Sequence, residues 1–385
     1  MKFKKIALLL ALIQFLVFAC ACAPGGSVKP SGVTLPGEHK TDIQKSSVIS
    51  LEQIKIGVIL NTNRTDGGWS QSHYDSFMNA KHELGLRDDQ LVILEDISEN
   101  GSETESALEL LIADGCNVIF GPSAGHTDPI AVSASRHPDV YFHQFEGQTR
   151  DNCAIYSVRD YEAIFVCGYA AARVSSVDQL GFQAAQPTAS VVRAINAWAT
   201  GAKYANPNSK VRVVWTNSWY DPAAEKEGAN SMLDSGIECL GYHGSTSAVM
   251  QSAEEHGCYA TGFHIDMKDY APKAVLTSFV WNWSPIYVEF IQRIVDGTWT
   301  NETVYKGIEE GCAVLAPFNE DLMNGELISE CEDLVKRLKD GEIKVFLGPI
   351  YDNKNNLILD ANKEFSDLEW IGMMYLADNV QGDLP

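Results

Sequence analysis

A chain of 385 residues exceeds what one ordinary hydrophobic core organises, so two domains are the natural expectation. With 29 basic against 51 acidic residues, the formal charge of −22 removes the basic face that a nucleic-acid partner needs. An apolar content of 45% still leaves material for substantial cores.

Lys2, Lys4 and Lys5 precede an apolar run from Ile6 to Ala19 that is short for a bilayer span. The run ends in Val17-Phe18-Ala19-Cys20-Ala21-Cys22. A small residue before a cysteine at that point resembles the bacterial lipobox, whose cysteine becomes the lipidated first residue of the mature protein. Cys20 is the candidate, with Val17 three positions before it, and Cys22 is the alternative. A plain cleaved secretory signal is the competing explanation. Residues 1–22 therefore read as a lipoprotein signal, and residues 23–50, rich in Pro, Gly, Ser, Thr and Lys, as a flexible tether. The body is expected outside a bacterial cell membrane, held there by lipid. Seven further cysteines are scattered singly, an odd number that leaves at least one unpaired. By default they are small core residues.

From Ile54 the chain alternates strand-like and helix-like stretches. Strands are predicted at Ile54–Leu60, Leu91–Leu94, Val118–Phe120 and Val140–Phe142, with helices at Ser72–Leu84 and Glu103–Ala113. A second series follows: a helix over Tyr161–Val174, a strand at Gln179–Phe182, a helix over Ser190–Tyr204 and a strand at Lys210–Trp215. Asp221-Pro222 supplies an N-cap acceptor and a proline at N1 of the next helix. Strands at Ile237–Leu240, Tyr259–Phe263 and Ala274–Phe279 and a helix over Pro285–Val295 complete the pattern. This is an α/β chain with two mostly parallel sheets of about five strands each. The expected lobes are residues 51–160 with a returning segment near 283–310, and residues 161–282 with part of 311–385.

Ligands of open parallel sheets bind at the carboxyl ends of strands, so the strand-to-helix loops are the place to look. Asp66-Gly67-Gly68-Trp69-Ser70-Gln71-Ser72-His73-Tyr74-Asp75 follows the first strand, and two glycines let the backbone approach a ligand closely. Gly121-Pro122-Ser123-Ala124-Gly125-His126, Asn217-Ser218-Trp219-Tyr220-Asp221 and Val280-Trp281-Asn282-Trp283-Ser284-Pro285 occupy corresponding places. Four of the eight tryptophans, Trp69, Trp219, Trp281 and Trp283, thus fall at strand-to-helix junctions. Stacking a base-like ring on an aromatic side chain is worth roughly 1–3 kcal/mol whatever the base. Interlobe packing is the other use for such rings.

Catalytic alternatives fare worse. Gly121-Pro122-Ser123-Ala124-Gly125 matches the nucleophile-elbow pattern, but Pro122 restricts the turn and no downstream histidine lies in a distinctive motif. Cys239, His243, His256 and Cys258 lack the spacing of structural zinc sites and read as strand-end and helix-end residues. No P-loop and no Gly-x-Gly-x-x-Gly occurs.

The wording of these loops resembles the basic membrane protein family of lipoproteins, nucleoside-type substrate-binding components of ABC transporters. The stretches that carry the resemblance are Gly68-Trp69-Ser70-Gln71-Ser72-His73, Val213 to Pro222, Asp266-Met267 with Tyr270-Ala271-Pro272-Lys273, and Val280-Trp281-Asn282-Trp283; Gly297-Thr298-Trp299 also fits. The resemblance implies a type I periplasmic-binding fold: two Rossmann-like lobes, three crossovers, a hinge and a ligand in the central cleft. It implies no enzyme activity and no cofactor. The partners it implies are a purine base or nucleoside and an ABC permease with its ATPase; the chain itself is expected to be a monomer. Nucleoside binders offer Phe-Asn-Gln-Ser-x-Tyr in the first loop; here Trp69 replaces the Phe and Ser70 the Asn, while Gln71, Ser72 and Tyr74 match. A lysine that usually grips the ribose is replaced by Trp281, which favours an adenine-like free base while leaving a nucleoside open. By this resemblance Trp69 stacks on one purine face, with Trp281 or Trp283 on the other and Trp219 completing the aromatic set. Ser70, Tyr74 and Ser123 then face ring nitrogens, and Asp266 and Asn217 the polar edge. A surface sensor without a permease, and a nucleoside hydrolase, are the alternatives.

Overall fold

The structure, a computed structural model, describes residues 49–385. The first 48 residues, with the signal, Cys20, Cys22 and most of the tether, lie outside the described part. In chain order the first elements are β1 (Ile56–Ile59), α1 (Trp69–Leu84), β2 (Leu91–Leu94), α2 (Gly101–Ala113), β3 (Val118–Gly121), α3 (Thr127–Arg136), β4 (Tyr141–Phe145) and β5 (Cys153–Val158). The chain continues through α4 (Tyr161–Val174), β6 (Gln179–Ala184), α5 (Ala189–Ala205), β7 (Lys210–Trp215), α6 (Pro222–Leu233), β8 (Cys239–His243), α7 (Ala248–Glu255), β9 (Tyr259–Gly262) and β10 (Val275–Trp281). It closes with α8 (Ser284–Val295), β11 (Val304–Lys306), β12 (Ala313–Leu315), α9 (Gly325–Lys339), β13 (Ile350–Tyr351), β14 (Leu357–Leu359), α10 (Asp367–Ile371) and β15 (Val380–Gln381).

Two large sheets result, of six and seven strands where about five each were expected, beside a two-stranded sheet of β13 and β14. The first has the order β11-β5-β4-β3-β1-β2 and the second β12-β10-β9-β8-β6-β7-β15. All pairings within them are parallel except β12 against β10. Strands β1, β3, β4 and β5 are buried at every residue, as a parallel sheet covered by helices on both faces requires. The extra strands β11, β12 and β15 are only two or three residues long, which is why periodicity does not reveal them. The chain passes between the sheets three times, after β5, after β10 and between β11 and β12. Those three crossings are the connections between the two large sheets.

Helix boundaries follow their caps. Asp221 accepts from the Ala224 amide and Pro222 opens α6, as the sequence indicated. Helix α1 starts three residues before the predicted Ser72, because the Asp66 carboxylate accepts from the amides of Gly68, Ser70 and Gln71 at 2.9–3.0 Å. An anion receiving three orphan N–H groups stabilises that terminus. The seven described cysteines beyond the tether are free thiols, all buried except the half-buried Cys258.

Helices α4 and α5 meet through reciprocal glycines. A Cβ on Gly168 would lie 1.9 Å from the Trp198 carbonyl oxygen, and one on Gly201 1.9 Å from that of Phe165. Both obstacles are backbone, so neither yields without separating the helices. Gly168→Ala is therefore expected to destabilise the protein by about 3 kcal/mol. Urea unfolding checks this, and a change within error would show that the helices slide apart freely.

Candidate functional site

The strand ends of the two sheets face one another across an aromatic seam. Lobe one contributes Trp69 and His73 from the first turns of α1 and Phe145 from the end of β4. Lobe two contributes His243 from the end of β8, Phe263 and His264 after β9, and Trp281 from the end of β10. Trp283, the N-cap of α8, sits on the second crossing. A methyl group on Gly68 would come within 3.6 Å of His264 Cδ2 and 3.7 Å of Ser245 Cβ, so the lobes touch at this point.

Trp281, Trp283 and His73 form a three-ring stack, with centroids 4.7 and 4.4 Å apart and planes within 18°. Trp69 stands edge-on to the stack, at 5.6 Å and 87° to Trp281, 5.4 Å and 75° to Trp283, and 4.5 Å and 74° to His73. Phe145 and His264 complete its surroundings at 4.9 and 6.2 Å. The indole is fixed in rotation by its Nε1–H, which donates to the Pro122 carbonyl at 2.9 Å. Trp69, Trp281 and Trp283 meet at the seam, with Trp69 edge to face with the other two rather than facing either across a gap. Trp283 is 0% exposed, covered by Trp281 on one face and His73 on the other, with its Nε1–H donating to Ser72. Trp281 is 6% exposed and donates to His264 Nδ1 at 2.8 Å. Both are walls of the seam. Trp219 is 47% exposed and reaches the cluster only through His243, 6.2 Å away.

The polar candidates divide in the same way. Ser70 is 0% exposed and wholly engaged inside its own loop: its hydroxyl accepts from Thr62 and donates to Asn61 at 3.0 Å. With two hydrogen bonds accepted and one donated, the hydroxyl is fully engaged within the loop. Tyr74 is half-buried beneath Arg64, whose guanidinium carbon is 4.6 Å from the ring centroid and whose ion-pair partner is Glu95. Ser123 is buried and donates to the Glu99 carboxylate. Asp266 is exposed and caps a short turn by accepting from the Lys268 amide at 3.0 Å. Asn217 is exposed at φ 54°, its carbonyl taken by the Gln186 amide group.

Three histidines line the seam as neutral rings. His264 Nδ1 accepts the indole proton of Trp281, which requires that nitrogen to be unprotonated. Burial holds His264 down to about 3, and it holds His73 and His243 well below their ordinary range, with the charge of His264 adding to the effect on both. Behind them Arg193 of α5 makes a fully buried two-point ion pair with Asp160, at 2.8 and 3.2 Å. Asp160 lies on the first crossing, so this pair ties a lobe-two helix to that crossing. Neither residue was singled out from the sequence, nor was Glu146, which follows Phe145 at φ 55°.

Two parallel-sheet lobes, three crossings and a ring-lined seam at the strand ends define the type I periplasmic-binding fold. An ABC transporter solute-binding protein of Conexibacter woesei has this fold, with a TM-score of 0.65 at 20% identity over 76% of this chain and 98% of that one. The family of PnrA-like ABC transporter substrate-binding proteins matches residues 53–346, and the chain belongs to it. A purine-binding protein of Brucella abortus is 32% identical, over 87% of this chain and 95% of its own. A Haloferax volcanii protein named as a glucose-binding component of an ABC transporter is 27% identical, over 83% and 78% respectively. These are binding proteins, not enzymes.

Proposed function

We propose that the protein binds a purine, as free base or nucleoside, in the seam between its lobes and delivers it to an ABC permease driven by its ATPase. The observation that carries this reading is the meeting of Trp69 with the strand-end rings of lobe two. Of the four junction tryptophans, Trp69 is half-buried at the seam and Trp219 exposed beside it, whereas Trp281 and Trp283 are buried. Trp69 and Trp219 are the two we assign to the purine, with Trp281, Trp283 and the histidines as the wall behind it. Asn217, Asp266, Tyr74 and Ser123 stay at the rim, where lobe movement decides their access. The resemblance of the leader to a lipobox supports a body on the extracytoplasmic face, anchored through Cys20.

Titration with adenine, hypoxanthine, guanine, their nucleosides and glucose, followed by tryptophan fluorescence, tests the ligand. Saturable quenching or enhancement by a purine is expected. A response to glucose alone, or to none of these compounds, defeats the assignment. Cys20→Ser is expected to release the protein from the membrane fraction, and retention in Cys20→Ser together with loss in Cys22→Ser moves the anchor to Cys22.

A further inference from the structure

The chain beyond Phe346 lies outside the part that the family matches, yet its last elements are bonded to the middle of the molecule. One end of residues 366–381 is rooted in lobe two. The Asn196 side chain of α5 donates to the Tyr375 carbonyl at 2.7 Å and accepts from the Ala377 amide at 2.8 Å. The Asn379 side chain donates to the Ala199 carbonyl at 2.8 Å. Both asparagines are buried, and β15 adds a parallel edge strand beside β7. The other end reaches the first crossing and sheet one. Asp367 accepts a two-point contact from Arg159, the residue after β5, at 3.1 and 3.0 Å, and Arg159 Nη1 donates to the Tyr305 carbonyl of β11 at 3.3 Å. Trp370 is buried beside them, its Nε1–H donating to Asp367 at 2.8 Å, with the rings of Tyr161 and Tyr305 at 5.4 and 5.6 Å. The guanidinium carbon of Arg193, the partner of Asp160, lies 4.8 Å from the centre of the same indole.

We infer that residues 366–381 are a strap across the first crossing, rooted in lobe two and clasped to the exit of β5 and to β11, and that undoing the clasp is the step that lets the lobes part. The crossings are the connections between the two large sheets, so lobe movement is absorbed there. The root consists of buried side-chain amides bonded to backbone groups, and breaking it strands polar atoms away from water. The clasp is of another kind. The side chains of Arg159 and Asp367 are 27% and 34% exposed, so water replaces what the pair gives up on separating. Movement therefore breaks the clasp before the root. Trp370 ties the clasp together: Asp367 and two tyrosine rings hold the indole, and the indole carries the guanidinium that pairs with Asp160 on the crossing.

The clasp bears on two crossings at once. The Arg159 amide donates to the Lys306 carbonyl at 2.7 Å, and the Glu162 carboxylate of α4 accepts from the Ile308 amide at 2.7 Å, so the first and third crossings are bonded side by side. Asp367 holds the guanidinium of the same Arg159 whose amide makes the first of these bonds. The strap acts on the movement of the lobes and not on which ligand they enclose, so it stands apart from the purine reading.

Asp367→Asn tests the strap on the full chain without ligand. It removes the charge that Arg159 pairs with and keeps an oxygen for the Trp370 indole. Hydrogen exchange of the Arg159 and Ile308 amides is expected to quicken by about tenfold or more, while the amides of β3 and β8 keep wild-type protection. The radius of gyration from small-angle scattering is expected to rise with it. Unchanged exchange at the two amides together with an unchanged radius in the folded variant overturns the strap. So does faster exchange spread evenly over both large sheets, which is the mark of a purely structural role. If Asp367→Asn does not fold, Arg159→Lys takes its place, keeping the charge and losing the two-point geometry. The same two amides are then expected to quicken by a smaller factor, and no change at either overturns the strap.

Discussion

Trp69→Ala is expected to weaken purine binding by roughly ten- to a hundredfold, the range set by about 1–3 kcal/mol for one base–aromatic stack. The side chain stands at the turn where Gly67, Gly68 and the Asp66 cap bring a helix start of lobe one against loops of lobe two. Its deletion removes the ring surface proposed for the ligand and leaves the Pro122 carbonyl without its 2.9 Å donor. It also takes away the edge that packs on Trp281, Trp283 and His73. Trp69→Phe separates these contributions, because it keeps a stacking ring while losing the Nε1–H. Calorimetric titration of the folded variants reads the result: a large loss for alanine and a smaller one for phenylalanine. Unchanged affinity in Trp69→Ala would take this residue out of the site.

The sequence showed much of this frame, and the reasons are local. Fully apolar runs such as Ile56–Ile59 and Val118–Gly121 can only be buried parallel strands once helical stretches separate them. A glycine pair followed by tryptophan marked the first loop for the same reason, composition at a strand end. Ring geometry was not legible, because whether Trp281 stacks on Trp283 or covers a ligand depends on how two lobes dock, information that no window of residues carries. Arg193 and Glu146 did leave a signal. A single guanidinium within Ala189–Ala205, a helix that is mostly Ala, Val, Ile and Trp on its buried face, is a charge where none is expected. Glu146 stands between the apolar end of β4 and Gly147, the arrangement that drew attention to the other loops.

Acidification is expected to open the seam and release the ligand. His264 is the centre of the argument, because its Nδ1 accepts from Trp281 and its neutral state is enforced by burial that holds it to about 3. Facing it are His73 of α1 and His243 of β8, both held well below their usual range, with Arg193 of α5 acting on His243. When the lobes part, water reaches the rings and their affinity for protons returns toward that of a free imidazole, about 6.5. The open form then binds more protons than the closed one between that value and about 3, so lowering the pH through this window favours opening. Each pH unit below about 6.5 shifts the balance by ~1.4 kcal/mol per histidine, so one such ring at pH 5 amounts to ~2 kcal/mol, roughly thirtyfold in affinity. Glu146 works the other way, since a carboxyl raised by burial takes up its proton more readily in the closed form, but it is one group against three. Purine affinity measured at pH 7.5 and pH 5.0 is expected to fall by at least tenfold at the lower value. His264→Asn is the matching control. Asparagine tolerates the φ of 73° at this position and offers an oxygen to the indole N–H of Trp281, yet it does not titrate, so its pH profile is expected to be flatter. A wild-type affinity that stays constant between these pH values would mean that the seam opens without wetting its histidines, and the proposed coupling of protonation to release would fall.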